Sequence, residues 1–318
     1  MSKLVTVVGA TGIQGGSVID ALLQNPSYTL RALTRNPQSA PAQKLRERGI
    51  EVIAADTSDE SSLRAAFAGS HAIFAATNFF EPFATLGAEK AGEIETAQGI
   101  NLARAAAATE SLEHYVWSTL PNAEAISGGR ISVAHFAAKN RVDDYIRSDP
   151  ALLAKTTFLW IGYYASNIAY PWWKPVPVST AFGPEQYVQF MATPPSVQVT
   201  LAGDVRRNVG LFVEAALQQP ERTRNGGVVL VATEKMTAGE LLQTWARVHG
   251  KTAAYAVVDK EAYQGMWPLW GELMNRFFLY LDMTGDKAFA GEEVVLGKDE
   301  LGVEGLIGMA EAFAKMEV

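Results

Sequence analysis

Apolar positions along this chain switch between two periods. Short β-branched runs at residues 4–8, 28–34 and 50–55 have the length and composition of buried strands. Between the first two, Val18, Ile19, Leu22 and Leu23 recur at helical spacing until Asn25-Pro26 interrupts them. Residues 42–48 and 58–68 read as helices, 71–77 as a strand, and 88–108 as a long Ala-rich helix. A strand at 112–118, a helix at 133–147 and a sixth strand at 156–163 complete the series. Strands and helices alternating over short connections predict a parallel sheet covered on both faces. The expected fold class is therefore α/β, a doubly wound sheet of the Rossmann type.

The pattern changes from Tyr170 onward. Pro171-Trp172-Trp173-Lys174-Pro175-Val176-Pro177 is a rigid aromatic loop, and Trp267, Trp270, Phe277, Phe278 and Tyr280 crowd the C-terminal part. Residues 228–232 look like a strand returning to the main sheet. A helix over 237–248 carries Thr237 as N-cap, Glu240 at the capping-box position and Gly250 after its end. The expected division is a nucleotide-binding part at 1–168 plus about 226–235, and a smaller, discontinuous α+β substrate domain at about 169–225 and 236–318.

Composition narrows the chemistry. With 318 residues, 48% of them hydrophobic and 19% charged, the chain has ample material for a core. Lys plus Arg number 27 against 34 Asp plus Glu, a net charge of −7, which leaves no cationic surplus for direct nucleic-acid binding. Zero cysteines exclude disulfides, thiolate nucleophiles and thiol redox switches. His71, His114, His135 and His249 are scattered without metal-ligand spacing, so no metal site is expected. No apolar run approaches the roughly 20 residues that span a bilayer, and the first residues read as a strand. A cytoplasmic protein follows, nuclear if it proves to be a regulator, with no membrane partner and an open oligomeric state.

The strongest chemical signal is Gly9-Ala10-Thr11-Gly12-Ile13-Gln14-Gly15 between the first strand and helix. The glycines permit a tight turn, close backbone approach to a pyrophosphate and near packing of helix on strand, while Thr11, Ile13 and Gln14 complete the loop. The helix N-terminus then offers N–H groups and a positive dipole end to phosphates. Thr34-Arg35 ends the second strand with no acid nearby, where NAD sites usually carry a carboxylate. An arginine fork there suits a 2′-phosphate, which favours NADP(H) over NAD. Asp56, at the end of the third strand, faces adenine or caps the next helix. Thr77 and Asn78 end the fourth strand at the ligand-binding edge, as cofactor contacts or as plain strand-end polar residues.

These residues resemble the NmrA-like proteins, atypical members of the short-chain dehydrogenase/reductase superfamily. The glycine turn, Thr77-Asn78-Phe79-Phe80-Glu81, His114-Tyr115-Val116-Trp117-Ser118 and His135-Phe136-Ala137-Ala138-Lys139 carry the resemblance, close over about residues 1–170 and looser beyond. It implies an NADP-binding domain with a smaller domain closing over the nicotinamide. It also implies two kinds of relative: reductases of small carbonyl or aromatic compounds, and dinucleotide-sensing regulators that bind proteins. Members of the wider superfamily use Tyr-x-x-x-Lys on one helix face, with Ser or Thr after the fifth strand polarising the carbonyl. Here the pair is His135-x-x-x-Lys139, with Ser118 and Thr119 upstream. Lys139 would hold the nicotinamide ribose. His135 is either an acid or a pocket-wall residue, and a lysine one turn away disfavours its imidazolium. Tyr163 or Tyr164 could supply the missing phenol or pack in the core, with Tyr163 beside the cofactor. Phe79, Phe80, Phe83, Tyr164, Asn167 and Trp172 are the candidate substrate pocket. The leading expectation is an NADPH-dependent reductase of a small aromatic or polyketide-like carbonyl compound or enone. The alternative is a non-catalytic NADP/NADPH sensor or transcriptional co-regulator acting through protein partners.

Overall fold

A computed structural model of the chain describes residues 2–179, 186–290 and 294–317. In its first half the strands are β1 (Lys3–Val7), β2 (Tyr28–Thr34), β3 (Glu51–Ala54), β4 (Ala72–Ala75), β5 (His114–Thr119) and β6 (Thr156–Ile161). Between them run α1 (Ile13–Leu22), α2 (Ala40–Glu47), α3 (Glu60–Phe67) and α4 (Phe80–Ala107). After β5 come α5 (Ala123–Ile126), α6 (Ala134–Arg147) and α7 (Pro150–Leu153), and after β6 the short β7 (Tyr163–Tyr164). The second half holds β8 (Val176–Val178), β9 (Gln186–Met191), β10 (Gln198–Gly203), α8 (Val205–Gln218), α9 (Pro220–Thr223) and β11 (Gly227–Val231). It continues with β12 (Glu234–Thr237), α10 (Ala238–Val248), β13 (Ala253–Val257), α11 (Lys260–Met266), α12 (Trp270–Thr284), β14 (Val295–Leu296), α13 (Lys298–Leu301) and α14 (Met309–Ala314).

The main sheet has eight strands in the order β14-β11-β6-β5-β4-β1-β2-β3, every pairing parallel. The order reverses at β1, so a crevice opens beyond the carboxyl ends of β1 and β4, the place where ligands bind in such sheets. One face is covered by α3, α4 and α6, and its core runs on into the C-terminal aromatics. The other is covered by α1 and α8. Two three-stranded sheets, β12-β10-β7 and β13-β9-β8, lie outside the main one. The predicted capping box of α10 is formed, with Glu240 N–H donating to Thr237 Oγ1 at 3.1 Å and Thr237 N–H to Glu240 Oε2 at 2.8 Å.

Three expectations are revised by packing that sequence period does not encode. The strand expected over 156–163 ends at Ile161, and Tyr163–Tyr164 pairs with β10 instead. The turn between them is Gly162, where a Cβ would come within 2.7 Å of Thr200 O. The long helix reaches back to Phe80, but Gly87, at φ 76°, breaks it into a short turn and the body predicted from residue 88. Residues 205–218, expected in the substrate part, form a helix of the main sheet's cover: Val205, Val209, Phe212 and Val213 share a core with Val18, Ile19 and Leu22. An amphipathic helix announces that it has a buried face, not which surface it covers.

The α1–α8 crossing is close because Gly210 carries no side chain. Its N–H donates to Ser17 Oγ at 2.8 Å, and a Cβ there would run into Ser17 O and lie 2.8 Å from Ala21 Cβ. In an open helix, Gly→Ala stabilises by roughly 1 kcal/mol. Gly210→Ala should reverse that sign and destabilise by about 1–3 kcal/mol through overpacking. Gly265→Ala, on α11 with nothing within 4 Å of the added carbon, is the control. Thermal unfolding of both variants checks it: a lower Tm for the first alone is the expected outcome.

Candidate active site

The turn after β1 needs its glycines at two points. Gly9 has φ 66°, in the left-handed region that favours glycine. Gly15 packs its Cα against the turn itself, where a Cβ would collide with Gly9 O. α1 then begins beyond Gly12, which has extended backbone and provides no side-chain cap, so the first N–H groups of the helix face the crevice. A turn of this form accepts a phosphate.

A single cavity of about 920 Å³ runs from this turn across the ends of β4 and β5 to the aromatic residues beyond β7. Every expected site residue lines it except Asp56 and Phe83. Asp56 instead accepts from Ser58 N–H at 2.8 Å, leading the chain towards α3, whose own N-cap is Asp59. Phe83 is fully buried behind the wall, stacked on Phe79 at 5.5 Å.

Lys139 projects from α6 to the ends of the two central strands. Its ammonium donates to Thr77 Oγ1 at 3.0 Å and to Ser118 O at 3.2 Å, and it pairs with Glu95 Oε1 at 3.2 Å. It also lies 5.1 Å from the centre of the Trp117 ring. Glu95 is fully buried on α4 and accepts a second hydrogen bond from Thr77 Oγ1 at 2.7 Å, while its Oε2 has no partner among the described residues. Sequence reasoning missed Glu95. Its signal was available: Ala91, Gly92, Gly99, Leu102 and Ala103 make a buried stripe on α4, and Glu95 falls within that stripe.

Ser118 and Thr119, adjacent at the end of β5, have different surroundings. Ser118 Oγ donates to Gln14 Oε1 at 2.8 Å, and Gln14 Nε2 donates to Tyr164 OH at 2.6 Å. This chain ties β5, the glycine turn and β7 together along the cavity. Thr119 Oγ1 donates instead to Asp143 Oδ2 at 2.8 Å, and Trp117 Nε1 donates to Asp143 Oδ1 at 2.8 Å. Burial pushes the Asp143 carboxyl up to about 7, although these two donors and Asn140 oppose the rise. Burial likewise raises Tyr164 to about 12, partly offset by Gln14, and lifts Tyr163 well above the ordinary range. Both phenols keep their protons at neutral pH.

His135 sits in an aromatic nest. Phe80 lies at 5.4 Å between ring centres, Phe79 at 5.9 Å, Phe136 at 4.9 Å and Phe277 at 6.1 Å. Its Nδ1 has no hydrogen-bond partner among the described residues. Burial, with Lys139 adding to it, pushes the imidazole down to about 3. The expected effect of the lysine is present, but loss of water is the larger cause.

Beyond His135 the wall is built of parallel rings: Tyr170 on Trp172 at 5.0 Å, Trp172 on Trp270 at 4.2 Å, and Trp270 on Phe80 at 5.8 Å. Trp270 comes from a distant part of the chain, and the sequence shows it only as one of the aromatics that crowd the C-terminal part. Arg35 is exposed and held bidentately by Glu81, next to Phe80 of that wall, at 2.9 and 3.0 Å. Among the described residues, no group of acidic or histidine side chains could hold a metal ion, and no helix is long and apolar enough to cross a membrane.

The site invites comparison with known proteins. The NmrA-like family oxidoreductase FrzB of Cladobotryum sp is 28% identical over 302 residues, covering 92% of this chain and 88% of its own. The NmrA-like oxidoreductase hkm9 of Aspergillus hancockii is 35% identical over 170 residues, which span 52% of this chain and only 48% of that relative. Among solved structures, NmrA, a negative transcriptional regulator, in complex with NADP aligns over 99% of this chain and 95% of its own, at 19% identity and TM-score 0.72. The Citrobacter sp. triphenylmethane reductase complexed with NADP(H) aligns over 98% and 99%, at 20% identity and TM-score 0.70. At such identities the structures speak for the shared fold alone. The sequence model of the NmrA-like family matches residues 1–301, and the chain belongs to that family.

Proposed function

We propose that this protein is an NADPH-dependent reductase of a small, flat carbonyl compound or enone of aromatic or polyketide-like type. One observation carries the reading: a single cavity joins the glycine turn, Lys139 and the aromatic wall. Dinucleotide and substrate would thus share one space, as hydride transfer requires. The chemical class agrees with the oxidoreductase relatives, and NADP(H) with the cofactors of the neighbouring structures.

NADPH, when bound, supplies a hydride from its nicotinamide. The protein's own part is to bind and to orient. Gly9 to Gly15 and the first turn of α1 receive the pyrophosphate, and Arg35 the 2′-phosphate. Thr77, Asn78 and Lys139, at the strand ends, would hold the nicotinamide ribose. All three donors of Lys139 are engaged within the protein, so it meets a ribose hydroxyl by trading one of these contacts. Tyr164, protonated and already accepting from Gln14, keeps its own O–H to donate to a substrate oxygen. Phe80, Trp172 and Trp270 offer flat apolar surface and exclude water.

A second reading, a non-catalytic NADP(H) sensor acting through protein partners, draws on His135. The residue in the tyrosine position is neutral and enclosed by phenylalanines, which makes it a poor acid.

Turnover separates the two readings. NADPH oxidation with a panel of aromatic carbonyls and enones should exceed the protein-free rate, and Lys139→Met should lower it at least tenfold. Because that change strands a buried carboxylate, the double variant Lys139→Met/Glu95→Gln is measured beside it, with circular dichroism to confirm folding. Tight NADPH binding without turnover on any substrate would sink the reductase and leave the sensor.

His135 also sets a pH dependence of stability. Its folded value of about 3 lies below the ordinary 6.5 of the unfolded chain. Stability is therefore undiminished above pH 6.5 and falls as the unfolded chain takes up a proton that the folded one refuses. At pH 5 the loss is about 2 kcal/mol. Urea titrations at pH 7.5 and 5 should show His135→Phe losing less stability on acidification than the parent. Part of the acid loss will remain, because His114 is buried and held at about 3 in the same way.

A further inference from the structure

The Arg35–Glu81 pair has a position that its exposure alone does not explain. Arg35 follows β2 and Glu81 follows β4, and these two strands flank β1 in the sheet. The pair therefore joins the loops on either side of the edge where the glycine turn opens. Both residues line the same cavity as that turn. Both nitrogens of the Arg35 fork point at the Glu81 carboxylate, Nη1 to Oε1 at 2.9 Å and Nη2 to Oε2 at 3.0 Å. A guanidinium engaged end-on in this way has its Nη1–Nη2 edge in use and its charge already opposed by a carboxylate.

We propose that Glu81 is a specificity-determining residue that competes with the 2′-phosphate of NADP(H) for Arg35. The inference rests on the reading of Arg35 as the phosphate contact. A dinucleotide with the 2′-phosphate must either take that edge from Glu81 or bind the free edge of Arg35 with its own negative charge beside the carboxylate. A dinucleotide without that phosphate leaves the pair closed. Glu81 thus weakens NADP(H) selectively and narrows the preference over NAD(H) that Arg35 creates. The same short turn carries the aromatic wall, since Phe80 and Phe83 on either side of Glu81 both contact Trp270, at 5.8 and 4.8 Å. Gly87, with φ 76° and open space around it, separates this turn from the body of α4. The element that answers to the phosphate is therefore an element of the substrate wall.

The test is binding, independent of turnover. Kd values of NADP⁺ and NAD⁺ are measured by calorimetry for the parent, Glu81→Gln, Arg35→Ala and the double variant, at low and high salt. An exposed pair is weak, so Glu81→Gln should raise the NADP⁺:NAD⁺ preference by about three- to fivefold at low salt, less at high salt. Arg35→Ala should lower the preference at least tenfold, and adding Glu81→Gln to it should recover less than half of the gain seen in the parent. If Arg35→Ala lowers the preference while Glu81→Gln leaves it unchanged, the competition is overturned and the Arg35 reading survives. If Arg35→Ala has no selective effect, the Arg35 reading fails and takes the competition with it.

Discussion

An ammonium buried between two strand ends needs a counter-charge, and in this protein Glu95 supplies it. Lys139 on α6 reaches Thr77 after β4, the carbonyl of Ser118 on β5 and Glu95 on α4. Four elements meet at one ammonium. Buried ion pairs of this kind add little net stability over apolar packing, because desolvation offsets the attraction. Their effect is positional: removing either partner leaves a charge without compensation, so neither side chain can move independently of the other. The contact thereby ties α4 and α6 to the ends of the paired strands β4 and β5.

That arrangement alters how the missing tyrosine should be viewed. In a Tyr-x-x-x-Lys pair the phenol needs the lysine, whose charge lowers its pKa, whereas the lysine needs no phenol to hold its place. Here it is satisfied without one, and the place of the phenol is taken by an imidazole that its surroundings keep neutral. A neutral imidazole keeps one N–H to donate but has no labile proton to give up near neutral pH. The Ser118–Gln14–Tyr164 chain is a polar path that ends in an O–H with no acceptor shown among the described residues. Thr119 cannot share that work, since its hydroxyl is engaged by Asp143.

Much of the nucleotide-binding half is legible in the sequence because its determinants are local. A β-branched run followed by Gly9-x-x-Gly12-x-x-Gly15 encodes strand, turn and helix within a dozen residues, and leaves the first N–H groups of the helix facing the crevice. Asp143 shows where local reasoning stops. It lies beside Arg141 and Asp144, which reads as a solvated face, yet it is buried and holds Trp117 and Thr119. Whether a helix acid meets water or an indole depends on what packs above it, and in this case the partner is a strand more than twenty residues upstream.

Glu81 and Trp270 extend the same argument to the site. Glu81 was visible as part of Thr77-Asn78-Phe79-Phe80-Glu81, but its relation to Arg35 arises only because the sheet order places β2 and β4 on either side of β1. Trp270 reaches the wall through a stack begun by Trp172, almost a hundred residues earlier. Parallel rings at 4.2 Å bury apolar area on both faces, so Trp172 and Trp270 order each other across the fold. The glycine turn is thus specified by a short motif and the aromatic wall by long-range contacts. Reductases that share one cofactor can therefore diverge in substrate by changing the second set of contacts while the first stays intact.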